Sequence, residues 1–91
     1  MNTTNATINR INENRRKATE ARLACNAARK EMERLESIAQ KTLIEKGENS
    51  IDYQEEAAKV FIANLHVGSL SKKWAKLQRK ADLSARRAKI A

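Results

Sequence analysis

TNATINRINENRRKATEARLACNAARKEMERLESIAQKTLIEK (residues 4–46) decides how this chain folds. It holds no Pro and no Gly, and small or apolar residues return every three or four positions. One seam runs Thr4, Ile11, Ala18, Cys25, Met32, Ala39; the alternating seam runs Thr7, Asn14, Ala21, Ala28, Leu35, Thr42. A sustained 3.5-residue period predicts a long helix with one packed edge. At 1.5 Å per residue that helix would be about 60 Å long. Such a rod cannot bury itself, so the rest of the chain or a second copy must cover it.

Working outward, Thr3, Thr4 or Asn5 can cap the first helix, leaving Met1 to Thr3 frayed. At the other end, Lys46 followed by Gly47 predicts a stop: a cation at the negative dipole end, then a residue free to turn left-handed. Asn49 or Ser50 can cap a second helix over about 51–66, with Asp52, Glu55 and Glu56 near its positive dipole end. Residues 57–67 of this helix are apolar nearly all round, so it is expected to be buried on more than one side. Phe61, Ile62 and Leu65 exceed what one partner helix covers, which points to a homodimer through helix 2. Gly68 and Ser69 then interrupt, and a third helix follows over about 70–89. Val67, Leu70, Trp74, Leu77, Ala81, Ser84, Ala88 and Ala91 form its seam.

The expected architecture is a single all-α domain over 1–91. Long helix 1 packs antiparallel against helices 2 and 3, as a helical hairpin with a broken second arm; a three-helix bundle is the near alternative. A hairpin about Gly47 and Glu48 places Trp74 opposite Ala21, Leu70 opposite Cys25 and Leu77 opposite Ala18. The largest side chain then meets the smallest ones, as interdigitating packing requires. The same pairing brings residues 72–89 beside residues 6–23, so that two basic clusters share one open end.

The formal net charge is +8, unevenly placed: net +4 over residues 1–46, −3 over 47–68 and +7 over 69–91. Such an excess favours anionic partners: nucleic acid, an acidic protein surface or anionic lipid. The second arm carries Lys72, Arg79 and Arg86 at one heptad position, Lys73, Lys80 and Arg87 at the next, and Lys76 between. Helix 1 carries Arg15, Arg22 and Arg29 at seven-residue spacing, with Arg10, Arg16 and Lys17 close by. A solvated face kept soluble by charge is the plain alternative. Seven cations with one nearby acid, Asp82, weigh towards a phosphate-binding surface.

Leu83 and Ile90 stand among these cations, seven residues apart, and suit anchors for a protein groove or an acidic amphipathic partner, and equally a second helix of a dimer. Helix 2, Gly68 and helix 3 also fit part of a helix-turn-helix pattern, with Ser69, Ser71, Lys72, Lys73 and Lys76 facing DNA. Asn64 stands where a small residue is expected and Trp74 is bulky for its slot, so a kinked hairpin arm is preferred. The apolar stripe is too sparse for a membrane-surface helix, and no segment is long and apolar enough to span a bilayer. With no apolar leader, the expected compartment is the cytoplasm, or the nucleus in a eukaryote, rather than the secretory route.

Catalytic chemistry is not expected. His66 is the only histidine, which leaves no His pair, triad or ordinary zinc site, and no Gly-rich phosphate loop occurs. His66 is expected to cap helix 2, and Glu13 to pair with Lys17. No cofactor or metal is called for. Cys25 lies on the small-residue seam and has no second cysteine to pair with, so it is expected to be a buried structural thiol.

Two functions remain. The first is a small regulatory protein that binds nucleic acid through its Arg/Lys surface. The second is an adaptor or inhibitor docking on a protein partner, such as a nucleic-acid-handling or nucleoprotein complex. In size and basic helical composition the chain resembles phage and plasmid accessory proteins, anti-defence inhibitors included; no motif carries that resemblance.

Overall fold

The structure, a computed structural model, describes the backbone of residues 2–90 and the side chains of residues 5–88. It is a hairpin of two helices, α1 (Asn2–Lys46) and α2 (Ile51–Ile90), lying side by side in a rod of 68 × 14 × 13 Å. Forty-five helical residues rise about 67 Å, so α1 spans the rod without folding back. It already includes Thr3, Thr4 and Asn5, so none of these is the expected cap. The side chains of Thr3 and Thr4 lie outside the described residues.

The turn forms through local chemistry. Gly47 takes a left-handed φ of 86°, and its N–H donates to the Leu43 carbonyl at 2.9 Å. That bond closes the last turn of α1, and glycine is the residue that adopts this backbone at least cost. Ser50 caps α2: its Oγ accepts the Tyr53 N–H at 3.1 Å, and its carbonyl accepts the Gln54 N–H, also at 3.1 Å. Lys46 pairs with Asp52 across the turn. The hydrogen bond to Asp52 holds the Lys46 ammonium above its ordinary pKa.

The expected three helices are two, because α2 runs unbroken through Gly68. A glycine inside a helix costs about 1 kcal/mol relative to alanine. Ala63, Val67, Leu70 and Trp74 keep the seam in phase on both sides of it, so packing outweighs that cost. A continuous helix removes the turn that a helix-turn-helix needs. It also leaves His66 in mid-helix, with no terminal carbonyls to cap.

The core is a narrow strip. Ala18, Ala21, Cys25 and Ala39 are buried on α1, and Val67 and Ala81 on α2; Cys25 is the most enclosed, at 1% exposure. Ile11, Met32, Leu35, Tyr53, Leu70, Trp74 and Leu77 flank the strip and are partly buried. Every one of these α1 residues belongs to the two expected seams. Thr7, the first member of the second seam, is exposed.

One polar pair crosses the strip. Asn14 is buried at 6% exposure and donates from Nδ2 to Ser84 Oγ at 2.7 Å; Ser84 Oγ in turn donates to the Lys80 carbonyl at 2.9 Å. This pairing shifts the expected register by three residues, less than one helical turn. The turn accounts for two of the three: the connection is Gly47–Ser50, so its midpoint falls after Glu48 rather than before it. A polar pair in an otherwise apolar seam fixes register, because any slip leaves the buried amide without a partner.

Candidate functional site

The register brings the two basic stretches together at the open end of the rod. Arg15 shares one interhelical groove with Ala85 and Ala88. Lys17 shares the opposite groove with Ala24, Lys73 and Leu77. The cations therefore surround the open half instead of forming a single face. Arg10, Arg15, Arg16, Lys17 and Arg22 of α1 are exposed, as are Lys72, Lys73, Lys76, Arg79, Lys80, Arg86 and Arg87 of α2.

Charge separates along the rod more sharply than the chain order suggests. The register sets residue 29 of α1 level with residue 69 of α2. Residues 2–29 and 69–90 make up the open half and carry fourteen Arg or Lys against three acids, net +11. Residues 30–68 make up the turn half and carry five against eight, net −3.

Among these cations, Arg16 is committed within its own helix. It hydrogen-bonds both carboxylate oxygens of Glu13, and Glu20 Oε1 at 2.6 Å. The Arg16 hydrogen bond holds the Glu13 carboxyl below the ordinary carboxylate range, and the Glu13 hydrogen bond raises the guanidinium in turn. Glu13 thus pairs with Arg16, not with Lys17 as expected. None of the other candidate cations forms an ion pair or hydrogen bond among the described residues. Asp82, the one acid in residues 69–91, accepts from the neutral amide of Gln78 at 3.1 Å and pairs with neither Arg79 nor Arg86 among the described residues.

Leu83 is 43% exposed and lines a surface groove with Trp74, Ala75, Arg79 and Arg86. Sequence reasoning singled out Leu83 but missed the Trp74 and Ala75 part of this groove. Trp74 was assigned wholly to the seam; its position one residue before the outward-facing Ala75 was the available signal. Its Nε1 is buried with no hydrogen-bond partner. Ile90, the companion anchor, has its side chain outside the described residues.

Phe61, Ile62 and Leu65 are 65%, 65% and 61% exposed, so the expected burial of this segment on two sides does not occur within one chain. Among the described residues no helix is long and apolar enough to cross a membrane, and no cluster of His, Cys, Asp or Glu could hold a metal ion. Comparison with known proteins finds no matching family model, no matching curated protein and no matching solved structure.

Proposed function

We propose that the protein is a non-catalytic, regulatory nucleic-acid-binding protein that engages the phosphate backbone through the open half of the rod. The observation that carries this reading is the net +11 of that half; among the described residues its cations are exposed, and only Arg16 is internally paired. Cations without internal partners can displace counterions condensed on a polyanion, and that release supplies most sequence-independent affinity. Columns such as Arg15–Arg22–Arg29 and Lys72–Arg79–Arg86 repeat at about 10 Å along the axis, given the helical rise. The rod measures 14 × 13 Å across its backbone, wider than the roughly 12 Å major groove of B-DNA. It is therefore suited to straddle phosphates rather than to read base edges.

A salt titration tests this. Binding to a random duplex should weaken about a thousandfold between low and physiological salt, the loss expected when six or more phosphates are neutralised. Arg79→Glu with Arg86→Glu should abolish most of the affinity. Weak binding even at low salt would overturn the reading.

The Leu83 groove favours a second reading, in which an acidic amphipathic protein segment docks between Trp74 and Arg86, as an adaptor's or inhibitor's target would. Leu83→Asp should abolish capture of such a partner while leaving duplex binding weakened only modestly.

A further inference from the structure

The outward stripe of α2 reads Glu55, Ala58, Ile62, Leu65, Ser69, Lys72, at alternating intervals of three and four. All six are exposed, on the side of the helix away from α1. This is a second heptad seam, and its chemistry is self-complementary when reversed: acid, small, branched apolar, branched apolar, small, base. From these two properties we infer that α2 docks on α2 of a second copy of this chain, antiparallel, about a two-fold axis between Ala63 and Asn64.

In that arrangement Ile62 meets the second copy's Leu65, and Ala58 meets its Ser69. Lys72 meets its Glu55, and Arg79 comes beside the turn residue Glu48. Each pairing occurs twice by symmetry, as an isologous interface requires. Phe61 flanks the seam and loses its exposure. The segment that is apolar on every side thus gains the second covering helix that one chain does not provide. The two α2 helices overlap over about 39 Å, long enough for several heptads. Parallel or shifted registers are disfavoured, because they set Lys72 against Lys72 or slide the Ile62–Leu65 pair off its partner. The like-charged open halves also end up at opposite poles, where their repulsion is least.

The inference does not depend on the proposed function, and its test contains no nucleic acid. Sedimentation of the full chain at tens of micromolar should give a dimer. Leu65→Asp should raise the dissociation constant about tenfold or more, roughly 1.4 kcal/mol or above, with helicity by circular dichroism unchanged because Leu65 is exposed. Lys72→Glu and Glu55→Lys should each weaken the dimer several-fold, and the double variant should restore it. Spin labels at position 54 of the two copies should lie about 30 Å apart. A monomer at these concentrations, a dimer indifferent to Leu65→Asp, a double reversal no tighter than either single change, or labels close enough for a parallel pair would each overturn the inference.

Discussion

The two glycines should respond to alanine with opposite signs. Gly68 lies within α2, has no positive φ, and a Cβ built there meets nothing within 4 Å. Gly68→Ala should therefore collect the full propensity difference, about 0.8–1.0 kcal/mol of added stability. Gly47 also has open space around it, but its φ is 86°. Gly47→Ala should cost about 1–2 kcal/mol, the penalty of a side chain in left-handed backbone. For a chain of this size each kcal/mol moves the melting temperature by about 4–8 °C. Thermal melts followed by far-UV circular dichroism, at one fixed low concentration, should place the two variants on either side of the parent by several degrees. Should Gly68→Ala lower the melting temperature, α2 is interrupted there and the two-helix description fails. Should Gly47→Ala raise it, the proposed cap of α1 is wrong.

Other perturbations follow from single contacts. Asn14→Ala removes the bond to Ser84, which keeps its own bond to the Lys80 carbonyl; the loss should be about 1 kcal/mol by denaturant titration. Cys25 is 1% exposed, so its thiol should react with a disulfide reagent only as fast as the hairpin opens, and a reaction as quick as that of the denatured chain would contradict its burial. Hydrogen bonds from Arg16 and Arg34 hold the carboxyls of Glu13 and Glu31 below their ordinary pKa. A lowered folded pKa stabilises above the unfolded value and is lost as pH falls through the folded one. Melting temperature should accordingly drop on acidification below the usual carboxylate range. With all four groups exposed the change should be small, and Glu13→Gln with Glu31→Gln should flatten it.

Much of the fold was legible because periodicity is a property of the chain itself. The seam from Ile11 to Thr42 and the seam from Val67 to Ala88 both face inward, and the stop at Gly47 and the cap at Ser50 stand where their chemistry placed them. The break at Gly68 was misread because glycine was weighed as a local signal. The phase of Ala63, Val67, Leu70 and Trp74 carried the contrary information, since a true interruption has no need to preserve it. Register was out by three residues, two of them because loop length, not seam composition, sets it. For the same reason the bond between Asn14 and Ser84 could not be foreseen, although both polar residues were visible on their seams. Arg16 illustrates the limit for the cationic surface: composition counts it as free, while two carboxylates on its own helix occupy it.

The separation of charge along a straight rod has a consequence for encounter. A positive half rigidly joined to a negative one experiences a torque in any external field, in addition to a pull. Near an extended polyanion a single, undimerised rod should swing until its open pole leads and its turn trails, while still several solvent layers away. Most collisions would then begin in the productive orientation, and a rate of association measured against added salt should fall as that steering is screened.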